Sequence, residues 1–192
     1  MRLVLVLAWC SVGWMAAEGA LGLVAGARSG SVALTGWALS SAVEGVASVL
    51  VIWRFTGARA LSEEAERRAQ RGVGVSFWLL APYVAAQSIG ALLSGDHPRP
   101  TVLGQVLTGS SVLLMPGLGW AKQRLGARLG SSATRGEGTQ NLLCAAVAAA
   151  VLVGLAANAA AGAGWLDPLI GLCVAGVAVR EGSRSWQGAA CC

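Results

Sequence analysis

An all-α fold of six membrane-spanning helices, with both termini cytoplasmic, is predicted by three features of this sequence. First, 55% of the 192 residues are hydrophobic, only 12% are charged, and the mean hydropathy is +0.64. A soluble domain carries roughly 25% charge, so this chain lacks the polar surface to wet the outside of a globule. Its apolar richness also excludes disorder. Second, the apolar residues fall into six continuous runs, each near the ~20 residues that cross a bilayer core. Third, the basic residues gather in alternate loops. A net charge of +5 could point to nucleic acid, but the 13 Arg and one Lys lie between the apolar runs, where they set membrane orientation instead. No nucleic-acid partner is expected.

The runs cover residues 3–26, 31–53, 72–93, 102–121, 140–161 and 163–179, a single transmembrane domain with no soluble one. The first resembles the start of a signal peptide, but it continues well past a typical apolar region and has no small-x-small cleavage site. A lipoprotein site at Cys10 would need a small residue where Trp9 stands. The first run is therefore span 1. Spans 5 and 6 are joined by a tight turn in which Gly162 and Gly164 supply backbone freedom. With the N-terminus inside, Arg2, Arg54, Arg59, Arg67, Arg68, Arg71, Lys122, Arg124, Arg128, Arg135, Arg180 and Arg184 are cytoplasmic, against Arg28 and Arg99 outside. The hydrophilic stretch 60–70 predicts an exposed helix connecting spans 2 and 3, with Glu63 four residues before Arg67 and Glu64 four before Arg68. The chain stops about a dozen residues after span 6, so function is expected inside the bundle.

Glycine (27 residues) and alanine are frequent within the spans, as at Gly19, Gly22 and Gly26 and over 145–150. Small residues let helices approach closely in lipid, predicting a compact bundle. Trp53, Trp120, Trp165 and Trp186 fall at span ends as an interfacial belt, while Trp14 and Trp37 lie deeper. The five cysteines are mostly in spans or on the cytoplasmic tail, which argues against structural disulfides. The adjacent pair Cys191 and Cys192 is given no fixed role.

Ionisable groups inside a bilayer are costly and mark function. Glu18 stands in span 1 and Glu44 in span 2, with no evident basic partner in the spans. Glu137 precedes span 5. Asp167, before Pro168, is expected to cap span 6. The one histidine, His97, falls in a short outer loop. No CxxC, HExxH, His-rich tract or phosphate-binding glycine loop occurs, so the chain is not expected to be an enzyme. An intramembrane enzyme using Cys144 lacks a base nearby in sequence. Ser40 and Glu44 lie four apart on one face of span 2, as do Gln140 and Cys144 on span 5. The spans run in opposite directions. A span 5 beginning near residue 130 sets Glu44 level with Gln140 and Ser40 level with Cys144. Carboxylate, thiolate, amide and hydroxyl then converge at one depth, and carboxylate and thiolate both suit zinc.

The run Glu18-Gly19-Ala20-Leu21-Gly22, then Gly30-Ser31-Val32-Ala33-Leu34, then Ser40 and Glu44, resembles the opening of the cation diffusion facilitators. The likeness is to a short bacterial branch without the usual cytoplasmic domain. Its features reappear in Phe77-Trp78-Leu79-Leu80-Ala81-Pro82-Tyr83-Val84, Leu142-Leu143-Cys144-Ala145 and Val153-Gly154-Leu155-Ala156-Ala157-Asn158. They recur in Trp165-Leu166-Asp167-Pro168, Val179-Arg180-Glu181-Gly182 and the closing Cys191-Cys192.

The resemblance implies a divalent-cation exporter of the bacterial inner membrane, commonly a zinc/proton antiporter working as a homodimer by alternating access. The cation is substrate, with no tightly bound cofactor. Carried over position by position, the site is Ser40 and Glu44 on span 2 and Gln140 and Cys144 on span 5, with Glu18 as a supplement from span 1. Ser40 replaces the first acid of the family's span-2 pair, and Gln140 and Cys144 stand where the family has His-x-x-x-Asp. Glu44 alone keeps a carboxylate. The alternative is a membrane scaffold or partner subunit that keeps the fold with a degenerate metal site.

Overall fold

The structure, a computed structural model, describes residues 2–55, 63–95, 98–99, 101–128 and 132–187. His97, Cys191, Cys192 and residues 60–62 of the hydrophilic stretch lie outside the described residues, as do the side chains of Glu63, Glu66 and Arg68. Among the described residues every element is helical: α1 (Arg2–Ser29), α2 (Val32–Phe55), α3 (Glu63–Ser94), α4 (Val102–Arg128), α5 (Ser132–Ala161) and α6 (Leu166–Trp186). Each apolar run lies within or largely within one helix, but the helices extend beyond the runs. α3 starts nine residues earlier than run 72–93, α5 eight earlier than run 140–161, and α4 ends seven later than run 102–121. Helical hydrogen bonding does not stop where hydropathy falls, so segments that look like loops by composition continue the helix.

Four stretches are long and apolar enough to cross a membrane: Leu5–Ser29, Phe77–Ser94, Val102–Arg128 and Glu137–Ala161. They suggest a multi-pass membrane protein. Val32–Val46 of α2 is apolar but shorter. The surface agrees with a lipid environment. Leu79, Leu93, Val102 and Leu113 are largely exposed (Leu113 at 80%), whereas Ser41, Thr108, Ser111, Lys122 and Asn141 are buried.

Contacts at the two ends fix the arrangement. At one end Arg99 N donates to Ser29 O (2.7 Å), Asn158 Nδ2 to Pro98 O (2.7 Å), and Ser31 Oγ to Asp167 Oδ1. At the other, Ser48 on α2, Lys122 on α4 and Glu137 on α5 meet. Successive helices therefore alternate in direction. Gly30 (φ 71°) and Gly162 (φ 64°) take the left-handed conformation that ends α1 and α5 at the Asp167 end. α2 is central, packing on α1, α3, α5 and α6, while α4 packs chiefly on α5. The main core joins Leu34, Trp37 and Ala38 of α2 to Cys144, Ala148 and Val151 of α5. A second core joins Phe77, Leu80 and Val84 of α3 to Ala175 and Ala178 of α6. Trp53, Trp120, Trp165 and Trp186 are exposed, and Trp37 is fully buried.

Small residues set the closest crossings. A Cβ added at Gly119 of α4 would stand 2.8 Å from Gly138 O of α5, and one at Gly138 would stand 2.7 Å from Gly119 O. Only glycine permits that approach, which brings the adjacent polar side chains of α4 and α5 into contact.

Candidate functional site

Ser40, Glu44, Gln140 and Cys144 line one crevice, together with Phe77 of α3 and Val174, Val177, Ala178 and Glu181 of α6. The helical repeat explains the set. Gln140, Leu143, Cys144 and Val147 are spaced 3-1-3 along one face of α5, and Val174, Val177, Ala178 and Glu181 repeat that spacing on α6. The crevice holds about 20 Å³, room for one water-sized occupant.

Glu44 is 6% exposed, and its Oε2 has no hydrogen-bond partner among the described residues. Its neighbour across the α2–α5 contact is the buried Cys144 thiol. Ser48 against Glu137 sets the α2–α5 register and puts Glu44 level with residue 141, within one residue of Gln140, with Cys144 one turn further along α5. The Ser40 hydroxyl donates to its own helix, at Trp37 O (2.8 Å).

Glu18 stands outside the crevice. Ser111 of α4 donates to its Oε1, Trp14 and Ser41 flank it, and its Oε2 is buried without a hydrogen-bond partner among the described residues. Ser41 also neighbours Cys144, so the two buried acids Glu18 and Glu44 are linked only through the Ser41 hydroxyl and the Cys144 thiol in turn. Among the described residues no three His, Cys, Asp or Glu side chains converge as a metal-ligand group.

Asp167 corrects the sequence reading. It lies in the first turn of α6, where the cap position is Trp165 with no side-chain bond. Its carboxylate instead caps α2, accepting from Ser31 Oγ, Val32 N (2.8 Å) and Ala33 N (3.2 Å). The amides at the start of α2 would otherwise be orphaned, and the acid is consumed in satisfying them. It borders an open hollow of about 610 Å³ with Arg28, Arg99 and Gln87.

A second correction concerns the charge near Glu44. Lys122 is not in a loop. It is 1% exposed on α4, and its Nζ donates to Glu137 Oε1 at 2.6 Å. Ser48 Oγ donates to the same oxygen at 2.5 Å. Glu137 does not precede the helix but lies in its second turn, and both charges are within electrostatic range of Glu44. The buried acid Glu44 thus has a basic residue near it. A signal existed in the sequence: Gly104, Thr108, Ser111, Met115, Gly119, Lys122 and Gly126 form one buried stripe at helical spacing. Lys122, the single lysine among 13 arginines, continues that stripe.

Compared with protein-family models and with curated proteins, the chain finds no match.

Proposed function

We propose that this protein is a transporter that exports a divalent metal cation, zinc-like in its ligand preference, in exchange for protons. The observation that carries the reading is Glu44: a buried carboxylate oxygen without a hydrogen-bond partner among the described residues, beside a buried thiol, in a crevice sized for a single ion or water. A carboxyl group kept from water must hold a proton, a cation or a hydrogen-bond donor. Zinc accepts both carboxylate and thiolate, with Ser40 and Gln140 as neutral oxygen donors. The cation reaches the crevice from the cytoplasmic side, displaces protons, and leaves outward as protons return. Glu18, tied to Ser111 and joined through Ser41 to the crevice wall, supplements the site from α1.

In this reading all six helices cross the bacterial inner membrane with both termini cytoplasmic, the Glu137 end faces the cytoplasm, and two copies form a homodimer. The resemblance to cation diffusion facilitators and the distribution of arginines support it. Zinc uptake into everted vesicles tests it: wild-type protein is expected to accumulate zinc and Glu44→Gln is not. Equal accumulation by both rejects the role of Glu44.

The dearth of strong ligands favours a second reading, a scaffold or partner subunit that keeps the bundle without transport. It predicts no thermal stabilisation of the purified protein by zinc, whereas a binder is stabilised in proportion to the logarithm of free zinc above its Kd.

A further inference from the structure

The hollow beside Asp167, at about 610 Å³, falls within the ~300–1,000 Å³ of small-molecule sites. Arg28 enters it from the last turn of α1 and Arg99 from the connection between α3 and α4. Gln87 and Ser94 line it from one face of α3, with Gly90 between them. Both arginines are exposed, and among the described residues neither guanidinium has an ion-pair or hydrogen-bond partner. Their backbones are nevertheless held. Arg99 N donates to Ser29 O at 2.7 Å, and the carbonyl of the preceding Pro98 accepts from Asn158 Nδ2 at 2.7 Å. The α3 wall leaves room for an occupant: a Cβ added at Gly90 would meet nothing within 4 Å.

The charge on these walls selects an anion. Both oxygens of Asp167 are already taken, by Ser31 Oγ and by the Val32 and Ala33 amides. Two unpaired guanidiniums therefore face one acid that is turned toward the start of α2, the positive end of that helix. A guanidinium fork pairs with phosphate through parallel hydrogen bonds. Depth then selects the source of the phosphate. Trp165, 54% exposed and two residues before Asp167, marks the level of lipid headgroups. Ile89 and Leu93, 50% and 84% exposed on the same turns of α3, offer apolar surface to acyl chains. We propose that the hollow is a phospholipid site, in which Arg28 and Arg99 hold the phosphate of an anionic headgroup while the acyl chains lie along α3. Basic pockets between membrane helices bind such headgroups. The site is separate from the cation crevice, since Glu44 lies thirteen residues along α2 from Ser31, roughly 20 Å at 1.5 Å per residue. The proposal does not rest on cation transport.

Thermal unfolding of the purified full-length protein in detergent micelles tests this, with phosphatidylglycerol, phosphatidylcholine or inorganic phosphate titrated in. Wild type is expected to respond to phosphatidylglycerol at a lower mole fraction than to phosphatidylcholine, and not to respond to inorganic phosphate at matched concentration. Arg28→Gln combined with Arg99→Gln is expected to weaken the phosphatidylglycerol response at least about tenfold. Gly90→Leu keeps both charges and fills open space, so it is expected to abolish the response without lowering the lipid-free melting temperature. Arg128→Gln, at an exposed arginine on the other end of the bundle, is the control and keeps the wild-type response. A wild-type response in the arginine double variant overturns the proposal. So does one in Gly90→Leu, even where the double variant fails to fold. Equal responses to the two lipids show that headgroup charge is not read and reject the site. Equal stabilisation by inorganic phosphate assigns the hollow to a free anion and rejects the lipid. A loss in Arg128→Gln as large as in the double variant makes the effect one of general surface charge and rejects it as well.

Discussion

Lys122 of α4 and Glu137 of α5 meet at 2.6 Å with both side chains buried, seven residues before Cys144 on the same face of α5. The crossing of Gly119, one turn before Lys122, with Gly138, next to Glu137, makes the contact possible, and Ser48 ties it to α2. A buried pair of this kind is costly to break from one side, because the remaining charge is left uncompensated.

Lys122→Met is therefore expected to destabilise the bundle by about 3–5 kcal/mol. Glu137→Gln in the same background restores much of the loss, since no unpaired charge remains. Unfolding in detergent micelles of the two single variants and the double variant gives the coupling. Strict additivity of the two losses contradicts the ion pair.

The glycine crossing is testable by one methyl group. Gly119→Ala places a Cβ 2.8 Å from Gly138 O and 2.9 Å from Leu142 Cγ, an overlap expected to cost about 1–3 kcal/mol. Gly117→Ala, with nothing within 4 Å on the same helix, serves as the control and is expected to leave the melting temperature unlowered. Equal losses in the two variants remove the packing argument.

Asp167 links the starts of α6 and α2. Asp167→Ala is expected to cost about 0.5–2 kcal/mol, the value of a lost helix cap. Asp167→Asn keeps one acceptor oxygen and retains part of it. Amide hydrogen exchange at Val32 and Ala33 localises the effect: both should exchange faster in Asp167→Ala. Unchanged protection there means that something else caps α2.

Cys144 bears on metal choice. A thiolate favours zinc over magnesium, which prefers oxygen ligands. Cys144→Ser is expected to narrow the preference for zinc over magnesium in vesicle uptake, at least several-fold, chiefly through loss of zinc. A preference ratio equal to wild type indicates that Cys144 only fills the core beside Ala148 and Val151.

Much of this architecture was legible in the sequence, and what was not has a common cause. Six helices and the buried acids Glu18 and Glu44 follow from apolar runs and the rarity of charge within them. The gathering of Ser40, Glu44, Gln140 and Cys144 follows from two i, i+4 pairs on antiparallel helices. Helix ends and side-chain partners did not follow, because hydropathy marks where lipid ends and not where hydrogen bonding ends. Lys122 looked like a loop residue for that reason, although its stripe from Gly104 to Gly126 is regular. The capping of α2 by Asp167 joins residues 135 positions apart, and no local pattern reports such a contact. Glu181, quoted only within Val179-Arg180-Glu181-Gly182, does not stand out as a lining residue of the crevice, because it sits beside arginines at a helix end, where a charge is usually solvated.

The central claim is that the carboxylate of Glu44 stands in the bundle to meet a cation that crosses it. Proton release on zinc addition measures this most directly, using purified protein in weakly buffered detergent solution with a pH indicator. Each zinc bound to wild type is expected to liberate protons from the crevice, and Glu44→Gln is expected to bind little zinc and release few. Zinc binding with undiminished proton release in Glu44→Gln would contradict the account.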